Sequence, residues 1–393
     1  MRDIIVIGGG PTGSQAARRL AEKGHSVLVL EKNARAGQKS CCTGIIGQEC
    51  VNTFEIDSKV ILKQVNSATL FAPSGNSLHL YRKEMQAVIL DRSAFDISMA
   101  ERAQRAGAEY RFNSRVTDAA VEKDHVNVLV GGDKEYQIPA KAIVIASGFS
   151  PGLNAHLGLG EYKDFAVGAQ AEAETIGLDE VEVYFGDIAP GFFGWLVPKG
   201  KGAARVGLLA RKEAGPLLKK WLNQLAEQGK IKSAEVKISY GGIPLKPPSR
   251  TYGERSLAVG DAAGQVKPTT GGGIFYGLIG AEIAAKVLHQ ALEDNDLSAR
   301  RLSSYERAWR KKLGGEIRTG YWARKLFERL NERQIDRLFK IIKASGIDEA
   351  LLKAEDLSFD WHSRTIKSLL KYQIVVRSLK VIKLPFRSDN IDR

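Results

Sequence analysis

The chain opens on a strand, a glycine turn, a helix and a second strand, and no other stretch limits its fold as tightly. Ile4-Ile5-Val6-Ile7 is a continuous apolar run, the pattern of a parallel strand buried on both faces. Gly8-Gly9-Gly10-Pro11-Thr12-Gly13 follows, then a helical pattern through Ala16, Ala17 and Leu20 that ends near Gly24. Val27-Leu28-Val29-Leu30 is the second strand, with Glu31 and Lys32 at its end. A bare G-x-G-x-x-G is a weak signal, but here a strand precedes it, a helix follows it, and an acid stands 18 positions beyond Gly13. In that context Gly8 permits the tight turn, Gly10 lets the backbone approach a pyrophosphate, and Gly13 lets helix and strand pack closely. Pro11 and Thr12 open the helix whose N-terminus would face the phosphate charge. Glu31 would accept hydrogen bonds from ribose hydroxyls and would repel a 2′-phosphate, which disfavours NADP and leaves FAD or NAD.

Composition removes several classes. A chain of 393 residues can hold two or three domains, and 44% hydrophobic with 26% charged content is that of an ordinary globular protein. No apolar run approaches the roughly 20 residues that cross a bilayer. Met1-Arg2-Asp3 runs straight into a strand without the regions of a signal peptide, so a cytoplasmic location is expected. Cys41, Cys42 and Cys50 are too few and too clustered for a disulfide framework or a four-ligand metal site, and no H-E-x-x-H occurs; no metal is expected. Residues 301–393 carry 22 Lys/Arg against 12 Asp/Glu, most of the net charge of +13. Such an excess can serve an anionic membrane, nucleic acid, an acidic partner or solubility alone. Nucleic acid is not expected, because the basic part carries no recognition-module signature.

Further strand and helix patterns recur along the chain. Asp91 to Ala106 reads as a helix, two strands flank Gly131-Gly132-Asp133, and Ala142–Ala146 is another buried strand. Residues 165–210 look mostly β and 215–230 helical, and Tyr240–Pro244 with Lys246-Pro247-Pro248 reads as a crossover. Ser256–Asp261 returns to the buried-strand pattern, and a long helix starts near Gly272. Beyond about 298 the pattern is helical and charged.

Glu254-Arg255-Ser256-Leu257-Ala258-Val259-Gly260-Asp261-Ala262-Ala263-Gly264, then Pro268 and Thr270-Gly271-Gly272-Gly273-Ile274, is similar to the second FAD motif of flavoproteins built like aromatic hydroxylases. It resembles most closely the geranylgeranyl reductase family. The resemblance implies FAD, with Gly260 and Asp261 at its ribityl and pyrophosphate part, and Gly271, Gly272, Gly273 and Ile274 at the flavin pyrimidine edge. Lys39-Ser40-Cys41-Cys42-Thr43-Gly44 is similar to the family's segment passing near the isoalloxazine, which implies that Cys42, Thr43 and Gly44 contact the cofactor. Arg92 with Phe95-Asp96 resembles an R-x-x-F-D helix start whose arginine reaches the phosphate side. Tyr184-Phe185-Gly186, then Pro190 to Gly200 with Phe192, Phe193 and Trp195, resembles the family's substrate-domain motif. The match covers residues 1–290 and is loose beyond. Ser147-Gly148 departs from the Asp-Gly pair of related hydroxylases, and Phe193 stands where related halogenases carry a further tryptophan.

The resemblance therefore implies an α/β fold: a Rossmann-type FAD-binding domain (1–60, 85–160 and 245–295), an inserted β-sheet substrate domain (61–84 and 161–244) and a helical basic C-terminal region (296–393). It implies hydride transfer from reduced FAD to a carbon–carbon double bond of a prenyl-chain lipid, pigment or quinone. The electron donor stays open between NAD(P)H and a ferredoxin-like protein. An isolated alkene has no polar handle, so the chain must be gripped along apolar surface, and Tyr184, Phe192, Phe193 and Trp195 are the substrate candidates. Cys42 is the leading candidate for a residue beside the flavin, as proton donor, spacer or redox thiol. A monooxygenase or halogenase, and a non-catalytic flavin-binding or electron-transfer protein, are the competing readings on the same fold. The apolar stripe Ile366, Leu369, Leu370, Ile374, Val375, Leu379, Ile382 and Leu384 in the basic tail could lie on an anionic membrane, peripheral on the inner face of the cell membrane, or pack on the core.

Overall fold

The computed structural model describes residues 1–38, 41–132, 135–156, 158–347, 349, 352 and 358–371. Two sheets dominate it, and the α/β class implied by the sequence is the one observed. In the first, β1 (Arg2–Ile7) pairs in parallel with β2 (Val27–Leu30) on one side and with Tyr136–Ile145 on the other. Ser256–Ala258 extends this parallel core beyond Tyr136–Ile145, and Glu109–Arg111 extends it beyond β2. The central strands are buried along nearly their whole length, which explains their unbroken apolar runs.

The helices, in chain order, are α1 (Pro11–Ala21), α2 (Gln48–Thr53), α3 (Arg92–Arg105), α4 (Pro151–His156), α5 (Ala214–Glu227), α6 (Ile274–Glu293), α7 (Ala299–Phe327) and α8 (Glu332–Ala344). The described chain ends in a further helix, Ser363–Lys371. Among them α1, α3 and α6 cover one face of the parallel sheet, with Leu20, Phe95, Met99 and Leu278 in a shared core. Asp91 caps α3 by accepting from the Ala94 amide at 3.0 Å, close to the start expected from the sequence.

The second sheet runs Ser239–Pro244, Phe165–Glu174, Ala203–Ala210, Gly194–Gly200, Val181–Tyr184, Ser67–Phe71 and Ser77–Tyr81. Ser239–Pro244 is thus an edge strand and not the crossover that its glycines suggest. Those glycines answer a packing demand: a Cβ on Gly242 would stand 2.0 Å from the Phe149 ring. Ile61–Val65 leaves this sheet for a three-stranded one with Ile45–Gly47 and Ala87–Leu90. That small sheet joins the two large ones. Of the apolar stripe in the basic tail, Leu369 packs beside Ile347; the part from 372 onward lies outside the described residues.

Helix α7 fastens the two halves of the molecule through one buried side chain. Arg324 lies over the rings of Phe192 and Phe327, 4.7 and 5.5 Å from their centroids. Its guanidinium donates to the carbonyls of Gly191 at 2.9 Å, Pro268 at 3.4 Å and Thr269. Burial pulls it down to about 10, still charged at neutral pH. Arg324→Ala leaves buried carbonyls on two loops unpaired and should cost about 3 kcal/mol or more of stability. Arg324→Lys should fall between that variant and the parent. Urea melts of the three proteins check this, and coincident midpoints would refute it.

Candidate active site

The turn after β1 is built by close approach. Gly8 has φ +105, and a Cβ there would stand 2.4 Å from the Ala146 carbonyl oxygen. A Cβ on Gly13 would stand 2.0 Å from the Gly8 carbonyl oxygen and 3.0 Å from the Ala146 side chain. Helix α1 is therefore drawn onto the strand ends behind it. Gly10 precedes α1 with open space around its missing Cβ, Pro11 opens the helix, and no side chain caps it. Its first amides are left to face an anion. Glu31 is buried beside them: Oε2 accepts from the Gly9 amide at 2.8 Å, while Oε1 accepts from the Asn33 amide and side chain at 2.9 and 2.7 Å.

A cavity of about 610 Å³ runs from this turn to the face of the second sheet. Gly8, Gly10, Pro11, Thr12, Glu31 and Lys32 line one end. Cys42, Thr43, Arg92, Gly260 and Asp261 line its middle, and Gly271, Gly272, Gly273 and Ile274 border the N-terminus of α6. Thr12 joins the two glycine turns, since Cβ atoms at Gly260 and Gly277 would approach its hydroxyl to 3.0 and 2.5 Å. Gly13 and Gly44 are not in the lining. Gly13 serves helix–strand packing, and Gly44 makes room for Arg205 and Arg92, which lie 2.8 and 3.0 Å from where its Cβ would be. Lys39 and Ser40 lie outside the described residues.

The charges in the middle of the cavity are set by burial. Arg92 donates to Asp96 at 2.7 Å. Burial opposes its charge, but Asp96 and Cys42 hold it above its usual value. Burial pushes the Asp261 carboxyl up to about 6, with Arg92 acting in the opposite direction. Cys41 and Cys42 are free thiols. The Cys42 sulfur accepts from the Gly44 amide at 3.4 Å, and its carbonyl accepts from the Gln170 side chain at 3.3 Å.

The aromatic candidates divide between the cavity wall and the core behind it. Phe193 and Trp195 line the cavity with Val197, as do Val181 and Val183 on the neighbouring strand. Tyr184 and Phe192 do not. Tyr184 stacks on Phe71 at 4.7 Å and bonds with Glu182 and Lys230, and Phe192 is buried under Arg324 and Arg211. A cluster of aromatics looks like one surface in the sequence, but successive strand residues such as Val183 and Tyr184 face opposite ways. Sequence reasoning also missed Leu209 and Ile243 on the cavity floor, and Lys267, Phe359 and Asp360 at its rim. Alternation along 165–210 could have found Leu209; nothing in the spacing shows that residues 358–363 come to the cavity. Among the described residues, the only group able to hold a metal is His25, His289 and Glu293, which is not in the lining. There His25 Nε2 and His289 Nδ1 lie 2.9 Å apart.

The lining fits a flavin dinucleotide by one test that is independent of motif. Among the described residues, Arg92 Nε, Ser147 Oγ, Gln170 Oε1 and Trp195 Nε1 are buried polar atoms without a partner, and all four residues line the cavity. Buried polar atoms are rarely left unpaired, so a polar ligand is expected to meet them.

Comparison with known proteins agrees. A family model described as pyridine nucleotide-disulphide oxidoreductase matches residues 2–182. The digeranylgeranylglycerophospholipid reductase of Methanocaldococcus jannaschii is 30% identical over 361 residues, 88% of this chain and 92% of that protein. Its counterpart in Methanosarcina acetivorans is 31% identical over 378 residues, covering 90% and 93%. A solved geranylgeranyl bacteriochlorophyll reductase-like protein from Thermoplasma acidophilum superposes with TM-score 0.84 at 25% identity, covering 97% of this chain and 98% of that one. A p-nitrophenol 4-monooxygenase from Pseudomonas putida, at TM-score 0.71 and 16% identity over 96% and 98% of the two chains, shares the fold.

The raised Asp261 carboxyl gives a signed pH test. The folded protein holds this proton to higher pH than the unfolded chain, so the group lowers stability as pH climbs from about 4 through 6. In protein stripped of nucleotide, Asp261→Asn should melt higher than the parent above pH 6, with the gap closing below pH 4. A gap independent of pH would refute it.

Proposed function

As the chain belongs to the geranylgeranyl reductase family of FAD-dependent oxidoreductases, we propose that it reduces carbon–carbon double bonds in the prenyl chains of a digeranylgeranylglycerophospholipid-type lipid. One observation carries the reading: a single cavity joins a nucleotide-binding turn to an apolar sheet face. When bound and reduced by the external donor, FAD would supply a hydride from flavin N5. Gly8, Gly10, Pro11 and Thr12 would hold its diphosphate at the N-terminus of α1, Glu31 and Lys32 its adenosine end, Arg92 its phosphate side, and Gly260 and Asp261 its ribityl and pyrophosphate part. Gly271 to Ile274 would border the ring. Phe193 and Trp195, with Val183, Leu209 and Ile243, offer an apolar wall that orients a prenyl chain and keeps water out. Cys42, a residue of the same lining, is the proposed proton source for the second carbon.

The external reductant is proposed to be a ferredoxin-like protein, because a chain of net charge +13 attracts an acidic donor. Attachment of the basic tail to an anionic lipid surface fits the same substrate class. Among the described residues no helix is long and apolar enough to cross a membrane.

The test incubates dithionite-reduced holoprotein with digeranylgeranyl phospholipid and follows lipid mass. Gains in two-hydrogen steps are expected, and unchanged lipid despite bound FAD would refute the reading. A monooxygenase or halogenase would instead show rapid air oxidation through a flavin peroxide. Cys42→Ser should keep FAD and slow the lipid reaction about a hundredfold, the usual scale of a general acid. An unchanged rate would remove Cys42 from that role.

A further inference from the structure

The cavity's rim carries a buried ion pair that the reading above does not use. Lys267 lies in the loop before α6, and its backbone closes the glycine turn: its amide donates to Gly272 at 3.0 Å, and its carbonyl accepts from Gly271 at 2.8 Å. Its ammonium donates to the Phe359 carbonyl at 3.0 Å and to Asp360 Oδ1 at 3.3 Å, and lies 4.8 Å from the centre of the Phe359 ring. Side-chain exposure is 7% for Lys267 and 2% for Asp360, and both residues line the cavity. Lys267 Nζ is 3.9 Å from where a Gly272 Cβ would stand, so the charge abuts the turn itself.

Segment 358–363 is fastened independently of this pair. Trp361 donates to Glu49 and packs at 5.6 and 5.7 Å against the rings of Phe275 and Tyr276. His362 Nδ1 meets the Thr269 hydroxyl at 2.6 Å, and the Ser363 amide donates to Glu316 at 2.8 Å. The ion pair is therefore not needed to dock the segment. A buried pair is a weak stabiliser, because desolvation of both ions offsets most of their attraction. Burial pulls the Lys267 ammonium down, and Asp360 counters it. His362 is pushed down to about 4, by burial first and then by Lys267, so it adds no charge at neutral pH.

The ends of the cavity fix where such a charge would act. With the diphosphate at α1 and the adenosine end at Glu31, the flavin ring must lie toward the α6 turn, beside Lys267. Two-electron reduction places negative charge on the pyrimidine edge of a flavin, and a desolvated cation there stabilises the reduced form. We propose that Lys267 is the cation that sets the flavin's reduction potential and that Asp360, by sharing its charge, tunes that potential from the C-terminal segment. Both are positioning residues, and the proposal rests on the FAD reading.

Opposite signs test it. The purified holoprotein and the variants Lys267→Met and Asp360→Asn are titrated against a reference dye with xanthine oxidase. In Lys267→Met the reduced-to-oxidised flavin ratio at a given poise should fall about tenfold, about 30 mV for a two-electron couple. In Asp360→Asn it should rise, and Lys267→Arg should stay near the parent. Shifts of the same sign, no shift, or a Lys267→Met protein without flavin beside an unshifted Asp360→Asn would overturn the proposal. A parent protein that takes up no FAD would overturn the FAD reading itself, an outcome separate from the other three.

Discussion

The approach of α1 to the strand ends decides what the rest of the molecule can do. With Gly13 against the Gly8 carbonyl and Ala146, the helix axis points its uncapped N-terminus into the cavity. Thr12 then reaches Gly260 and Gly277, so the start of α6 is drawn to the same place. Two helix N-termini converge on one elongated space, and their dipoles both favour negative charge there. A side chain at any of these glycines would push the helices apart and remove the convergence. Thus a local steric condition written in the first thirteen residues organises contacts more than 250 positions away.

The parts legible in the sequence are those with a local cause. The unbroken apolar runs at 4–7, 27–30 and 142–145 announced parallel strands because burial on both faces demands them. The glycine turn and the place of Glu31 beside it are legible because spacing along one βαβ unit fixes their geometry. The misreadings have non-local causes. Tyr240 to Pro244 reads as a crossover because the need for glycine comes from Phe149, about ninety positions earlier. Tyr184 and Phe192 share the motif of Phe193 and Trp195, but Tyr184 packs on Phe71 and Trp221, and Phe192 lies in the turn before the strand, under Arg324 and Arg211. Residues 358–363 reach the cavity through contacts with Glu49, Lys267 and Glu316, none of them a neighbour in the chain.

Three buried cations share one design. Arg205 donates to the carbonyls of Leu90 at 3.0 Å and Thr43 at 2.6 Å, fixing the stretch that carries Cys42. Arg324 donates to Gly191, Pro268 and Thr269, and Lys267 to Phe359. Each ties together segments distant in sequence, and each does so chiefly through backbone carbonyls. Carbonyl dipoles replace the water that a buried cation loses, but they do not cancel its charge. A carboxylate in every one of these places would hold the loops equally well and leave no net field. Arg205 has Glu172 at 3.5 Å, and Lys267 has Asp360 at 3.3 Å on the far side of the rim, in the C-terminal segment. Of the buried cations, Lys267 and Arg92 line the cavity, each beside a carboxylate that offsets part of its charge. At Lys267 the fastening of a loop and the electrostatics of the cavity are therefore the same interaction.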